Sequence, residues 1–264
     1  MKELQVLKAA ALAGGKILAA KFGKVGYTLK GRANLLTEAD LASQRAVIGL
    51  IRKAFPADGF LAEESPAEET PNRRLWIIDP LDGTTNYAHG FPAAAVSIAF
   101  SEKGVVKAGG VLDPFRNELF LAEKGRGAFL NGRRLRVTKT PVLSRSLLVT
   151  GFGYDRAEKA EFYCGFFAEF MKLSHDVRRM GAASLDFCWL AAGRTDGYWE
   201  FGLKPWDVAA GGLILREAGG KTSDFSGRPW QVGPAMGNQT LATNGLLHGE
   251  MLRIIRRRLK GARA

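Results

Sequence analysis

Cysteine and histidine are scarce in this chain, at two and three among 264 residues. Cys164 and Cys188 form no CxxC pair and sit in apolar surroundings. That argues against a disulfide and predicts two buried thiols of a reducing compartment. No apolar run approaches the roughly 20 residues of a membrane span, so no contact with a bilayer core is expected. The alanine-rich N-terminus lacks the unbroken apolar stretch of a signal peptide, because Lys8, Lys16 and Lys21 interrupt it and Glu3 is acidic. Low-complexity segments and internal repeats are lacking as well. Acidic residues are outnumbered, 26 against 38 basic, for a formal charge of +12. This balance permits an anionic substrate or a nucleic-acid surface. Part of it is concentrated in Arg253, Arg256, Arg257, Arg258 and Lys260, with no aromatic residues between them. These cations read as the last turns of a helix complementing its macrodipole, and a nucleic-acid partner is disfavoured but left open. A cytoplasmic enzyme fits these absences.

The pattern that is present divides into two grammars. Leu4, Leu7, Leu12, Ile17 and Leu18 predict one face of an amphipathic helix. Thr37-Glu38-Ala39-Asp40 reads as a capping box, followed by Leu41, Ile48, Ile51 and Phe55 at helical spacing as far as Pro56. Strand-like runs follow at 75–79, 94–100, 105–112 and 118–122, and Asn131-Gly132 predicts a hairpin turn. The first half is therefore expected to hold two helices and a largely antiparallel sheet. Beyond Thr138, strands at 146–150, 198–201 and 241–243 alternate with helices at 157–172, 181–192, 208–218 and 246–259, an α/β pattern. A boundary at 139–145 separates an α+β half, 1–140, from an α/β half, 141–264. No flexible linker marks it, so the halves are expected to pack tightly as one unit.

Residues 76–92, WIIDPLDGTTNYAHGFP, pose the chemical question. Asp79 follows Trp76-Ile77-Ile78 at the end of a strand expected to be buried, and an ionised carboxylate there needs a cation, a hydrogen-bond cradle or a path to solvent. Pro80 removes a backbone donor and is expected to stop the ladder, freeing the carbonyl of Leu81 to point away from the sheet. Asp79, Asp82 and that carbonyl offer oxygen ligands without histidine or thiolate, the preference of hard cations such as Mg²⁺. Glu63 and Asp207 would enlarge the set to hold more than one ion. Such a site suits phosphoryl chemistry, and closely spaced amides at Gly83-Thr84-Thr85 suit a phosphate. Each acidic residue also has a plainer reading. Asp40 caps its helix, Asp207 sits in a first helical turn, Asp82-Gly83 makes a hairpin, Glu63-Glu64 lies in an acidic loop, and Glu200 is an exposed strand-end carboxylate. The hairpin leaves Asp79 unexplained.

Asp79-Pro80-Leu81-Asp82-Gly83-Thr84-Thr85-Asn86-Tyr87 and Trp206-Asp207-Val208-Ala209-Ala210-Gly211 resemble the two signature motifs of the inositol monophosphatase family. Ala62-Glu63-Glu64-Ser65 and Leu36-Thr37-Glu38-Ala39-Asp40 resemble two further family segments in the same order. The resemblance spans residues 4–259. It implies a layered α/β/α/β/α sandwich of the sugar-phosphatase type, usually a homodimer, hydrolysing phosphate monoesters with two or three Mg²⁺ ions and inhibited by lithium. By the same resemblance, Glu63, Asp79 and the Leu81 carbonyl hold the first ion, and Asp79, Asp82 and Asp207 the second. Glu63 also serves a weaker third. Asp40 and Thr84 orient and deprotonate the attacking water, and the amides of Gly83 and Thr84 take the phosphate. The backbone of Ala183, together with Asp82 and Glu200, meets the hydroxyls of a small phosphorylated polyol, with inositol 1-phosphate the leading substrate.

Four departures touch this pattern. Ala62 replaces the usual glycine and Asn34 a frequent aspartate, neither of them a ligand. Gly181-Ala182-Ala183-Ser184 lacks the hydroxyl residue that often follows its glycine, and Lys204 stands three residues before Asp207. The last two concern the leaving group, so reaction type is better determined than substrate. Fructose-1,6-bisphosphatase, histidinol-phosphatase and 3′-phosphoadenosine phosphatase are the rival activities. Arg178, Arg179 and Lys204 are candidates for a second basic pocket. A supplementary RNA- or transcription-complex-binding role is the reading from another class.

Overall fold

The computed structural model describes residues 1–31, 34–68 and 73–261. Along the chain, α1 (Lys2–Lys21) leads into a two-stranded ribbon, β1 (Tyr27–Leu29) and β2 (Leu35–Thr37), and then α2 (Glu38–Ala54). A seven-stranded sheet follows in chain order. It comprises β3 (Gly59–Ala62), β4 (Arg74–Asp82), β5 (Ala95–Glu102), β6 (Val105–Asp113), β7 (Glu118–Glu123), β8 (Gly127–Leu130) and β9 (Arg133–Arg134), with the short α3 (Thr84–Ala88) between β4 and β5. Only the β3–β4 pairing is parallel in this sheet. The second half holds β10 (Leu147–Thr150), α4 (Ala160–Leu173), β11 (Asp176–Arg178), α5 (Ala183–Ala191), β12 (Gly197–Phe201), α6 (Pro205–Glu217), β13 (Lys221–Ser223), β14 (Gln239–Thr243) and α7 (His248–Gly261). Its five strands run in the order β11-β10-β12-β14-β13, with parallel pairs on either side of β10.

Three apolar clusters set the layers. Leu7, Leu18, Val47 and Ile51 pack α1 and α2 on one face of the larger sheet, against Trp76, Ile78 and Phe100. The other face meets α5 and α6 through Ile77, Val111, Phe120, Leu185, Phe187 and Leu213, which also cover the inner face of the smaller sheet at Val149 and Tyr198. Phe166, Phe170, Met251 and Ile255 close the outer face of that sheet with α4 and α7. The sandwich is therefore α/β/α/β/α, as expected. Among the described residues no helix is long and apolar enough to cross a membrane.

Several details differ from the sequence expectation. The buried face of α1 is Leu7, Ala10, Ala11, Gly14, Gly15 and Leu18, and Leu12 is 47% exposed. Small residues let that helix lie close to α2 and the sheet. On α2 the buried side includes Asp40, Ser43 and Gln44, because it faces polar backbone: the Ser43 hydroxyl donates to the Pro80 carbonyl at 2.8 Å. Pro80 does not end its strand. The register slips between Asp79 and Asp82, and Asp82 pairs with Ala95 beyond the bulge. Cys188 is buried but Cys164 is exposed, on the outer side of α4, so the expectation of two buried thiols fails for Cys164. The C-terminal arginines are largely engaged within the chain. Arg256 donates to the carbonyls of Phe225 (2.9 Å) and Ser226. Arg257 pairs with Glu169, and Arg258 lies over the Phe166 ring.

Candidate active site

The ends of β3, β4 and β12 open on one cleft, and the N-termini of α2, α3, α5 and α6 point into it. Glu63 directly follows β3, Asp79 and Asp82 end β4, Asp207 lies in the first turn of α6, and Glu200 is on β12. Glu63, Asp79, Leu81, Asp82, Gly83, Thr84, Ala183, Glu200 and Asp207 all line this cavity of about 490 Å³. Asp40 lies just behind it, at the start of α2. Positive helix ends offset part of the acidic charge that would otherwise be costly there.

Main-chain donors orient the carboxylates. Leu81 N–H donates to Asp79 Oδ1 at 3.0 Å, and Lys204 N–H to Asp207 Oδ2 at 2.7 Å. The N-cap of α5, Ala182, supplies no side-chain acceptor. Asp82 does so from β4, taking the N–H of Ala183 at 3.2 Å on Oδ1. Its Oδ2 takes the N–H of Ser184 at 2.7 Å and the hydroxyl at 2.5 Å. Asn86 ties α3 to the segment before α5, donating to the carbonyls of Ala93 and Met180, both at 2.8 Å. Gly83 sits at φ +86°, where a Cβ would meet the Ala93 carbonyl oxygen at 2.8 Å. Only glycine makes that turn without strain.

Asp40 caps its helix and also reaches Thr84. Oδ2 accepts the N–H of Thr37 at 2.8 Å and its hydroxyl at 2.6 Å, closing the capping box. Oδ1 lies 3.3 Å from the Thr84 hydroxyl, which is also 2.9 Å from the Leu81 carbonyl oxygen. A single hydroxyl proton thus has two acceptors.

Burial raises the pKa of Asp79 well above the usual carboxylate range, and the charges of Glu63, Asp82 and Asp207 add to the shift. Asp207 is raised in the same way, by burial and then by Asp82. Burial also lifts Glu63 to about 7, although the Lys30 charge pulls the other way. The Lys30 ammonium sits 3.2 Å from Glu63 and 2.5 Å from Glu64, a built-in cation at the edge of the cluster. Among the described residues no three His, Cys, Asp or Glu side chains close into a cage. The oxygens instead line an open wall. That arrangement fits Mg²⁺, which keeps several waters and binds through one or two carboxylates plus a substrate phosphate.

Glu200 is a buried part of the cleft lining, and the Tyr198 hydroxyl donates to it. Burial pushes its carboxyl up to about 7, against that hydrogen bond. A Cβ on Gly151 would collide with both Glu200 carboxylate oxygens. Gly151→Ala is therefore expected to displace Glu200 and to cost about 1–3 kcal/mol by overpacking. Chemical denaturation would measure that loss, and a midpoint unchanged from wild type would show that Glu200 moves aside freely.

Of the basic pair singled out from the sequence, Arg179 lines the cleft, whereas Arg178 faces a different cavity and pairs with Asp176. Lys30, Phe152, Tyr154 and Arg156 also line the cleft and were missed, as was the Ser184 cradle for Asp82. No spacing rule brings residues 152–156 beside residues 79–82; the two segments meet only through the packing of the two sheets.

A family profile described as "Inositol monophosphatase family" matches residues 2–260. A Synechocystis inositol-1-monophosphatase is 42% identical over 251 residues, 94% of this chain and 86% of its own length. The Nus factor SuhB of Escherichia coli K12 is 42% identical over 228 residues, 85% of each chain. Among solved structures, an inositol monophosphatase from Anabaena superposes with a TM-score of 0.86 at 42% identity, covering 97% of this chain and 96% of that one. A Thermotoga maritima IMPase superposes at 0.90 with 35% identity, covering 99% of both chains.

Proposed function

Since this chain belongs to the inositol monophosphatase family and is a phosphatase, we propose that it hydrolyses inositol 1-phosphate to inositol and phosphate with the help of Mg²⁺. The observation that carries this reading is one cleft lined by an oxygen-only cluster, with the Asp40–Thr84 pair at its edge and a buried carboxylate, Glu200, opposite. Glu63, Asp79 and the Leu81 carbonyl would hold one ion and Asp79, Asp82 and Asp207 another, with Glu63 shared by a weaker third. Bound there, Mg²⁺ supplies Lewis-acid polarisation of the phosphoryl group and neutralises developing charge. Asp40 accepts the Thr84 proton, so the Thr84 oxygen is free to accept a hydrogen bond from the attacking water and hold it in line. The Gly83 and Thr84 amides orient the phosphate. A homodimer belongs to the same reading, and light scattering should give twice the chain mass.

The deciding experiment is phosphate release from inositol 1-phosphate, fructose 1,6-bisphosphate, histidinol phosphate and a 3′-phosphonucleotide with Mg²⁺. Inositol 1-phosphate should show the highest kcat/KM, and a clear preference for another ester would overturn the substrate. A second reading has its own support. Arg156, Arg179 and Lys204 line the cleft, and among the described residues none of them forms an ion pair. A leaving group bearing a second anionic substituent would find partners there, and fructose 1,6-bisphosphate tests it. The SuhB relatives are named as Nus factors. Arg256, Arg257 and Arg258 of the C-terminal helix are exposed but contact groups of this chain, and a transcription-complex role is not part of our reading.

Glu200 accepts hydrogen bonds from polyol hydroxyls in this reading. Glu200→Gln should lower kcat/KM for inositol 1-phosphate about ten-fold or more, the scale of a hydrogen bond to a charged group, and spare 4-nitrophenyl phosphate. An equal fall on both esters removes Glu200 from the specificity pocket. Stability adds an independent sign. With its folded pKa raised to about 7, Glu200 contributes stability present at low pH and lost as pH rises through 7. The glutamine variant should therefore gain in melting temperature relative to wild type between pH 5 and pH 8.

A further inference from the structure

Asp82 is held by a residue that no motif assigns. Three hydrogen bonds reach its carboxylate from the first turn of α5. The Ala183 N–H lies on Oδ1, and both the N–H and the hydroxyl of Ser184 lie on Oδ2. The two amides are donors that any residue but proline supplies. The hydroxyl is the part that depends on sequence, and at 2.5 Å it makes the shortest of the three bonds. A helical serine can instead bond back to a carbonyl of the preceding turn. Here the hydroxyl leaves its helix for a carboxylate on β4.

The position of that hydroxyl is fixed by packing. All nine residues of α5 are buried, Ser184 with no exposed surface. A Cβ on Gly211 would meet the Phe187 Cβ at 2.6 Å, so α5 lies against α6 without slack. Ahead of the helix, the Met180 carbonyl takes the Asn86 amide at 2.8 Å. Ser184 is no part of the cleft lining, whereas Asp82 is. It acts on the cleft only through that carboxylate.

We propose that Ser184 is a positioning residue whose hydroxyl orients Asp82 and so sets the affinity of the Mg²⁺ site that Asp82 forms with Asp79 and Asp207. The inference rests on the Mg²⁺ reading above, but not on which ester is hydrolysed. A carboxylate already held by fixed donors loses less freedom when it takes a cation. Removing such an outer partner weakens metal binding by about ten- to a hundred-fold. The other principal site, Glu63, Asp79 and the Leu81 carbonyl, does not include Asp82, so the effect should fall on one site only.

The test is Ser184→Ala in the full chain, which keeps both amides and removes only the hydroxyl. Calorimetric titration with Mg²⁺ should show one class of site bound about ten-fold more weakly and the other as in wild type. In phosphate release from 4-nitrophenyl phosphate, the Mg²⁺ concentration giving half-maximal kcat should rise by the same factor. KM for the ester at saturating Mg²⁺ should stay put. A merely structural role would lower the melting temperature without Mg²⁺ and leave both dissociation constants unchanged, and that result would overturn the proposal. So would a fall in kcat that excess Mg²⁺ does not recover, since Ser184 would then act on something other than the ion. A wild type that binds no Mg²⁺ defeats the metal reading and this inference with it. Wild-type binding matched by the variant removes Ser184 alone.

Discussion

Asp79→Asn should abolish phosphatase activity while leaving the protein folded. Asp79 is shared between two proposed ion sites at the end of β4, surrounded by Glu63, Asp82 and Asp207. Losing its charge weakens both sites and the transition-state stabilisation they provide. A loss of about 4 kcal/mol is roughly a thousand-fold in rate. The fold should survive because an amide oxygen can still accept the Leu81 N–H, now 3.0 Å from Asp79. Without divalent ions, relief of like-charge repulsion should leave the melting temperature equal to or above that of wild type. Mg²⁺ should stabilise wild type by mass action, about 2.7 kcal/mol at a hundred-fold excess over Kd, and stabilise the variant far less. Calorimetry with and without Mg²⁺ reads binding apart from turnover. Near-normal turnover by Asp79→Asn at modest Mg²⁺ would sink the metal assignment.

Thr84→Ala should lower kcat by about a hundred-fold, the lower range for a positioned acid–base group, and change KM little. The Thr84 hydroxyl lies 3.3 Å from Asp40 and 2.9 Å from the Leu81 carbonyl oxygen. Its proposed partner, the attacking water, gains most in the transition state, where a bond formed there affects rate rather than ground-state binding. Asp40→Asn should reproduce the loss, since an amide cannot take the proton. It should also cost stability by weakening the Thr37 capping box. Steady-state kinetics of both variants check this: a raised KM with unchanged kcat for Thr84→Ala would make Thr84 a binding group and Asp40 only a helix cap.

The chain order by itself determined which residues are chemically committed. Asp79 and Asp82 follow a buried strand, and their oxygen-only donor set excludes a thiolate or imidazole centre whatever the fold does. Local pattern also placed most helices and the antiparallel run of the first half, because period and turn chemistry act within a few residues of one another. Tertiary structure decided what depends on long-range geometry. Pro80 became a bulge instead of a strand end because β5 keeps pairing on its far side, at Ala95 with Asp82. Asp82 caps α5 from 102 positions away through Ser184. Arg178 and Arg179, adjacent in sequence, part company because successive residues at the end of a strand point to opposite faces. Tyr154 lines the cleft only because α4 anchors its segment beside β12. Bringing Glu63, Asp79 and Asp207 to one cleft needs two sheets packed through a shared helical layer, and that packing energy belongs to the buried core, not to any segment read alone.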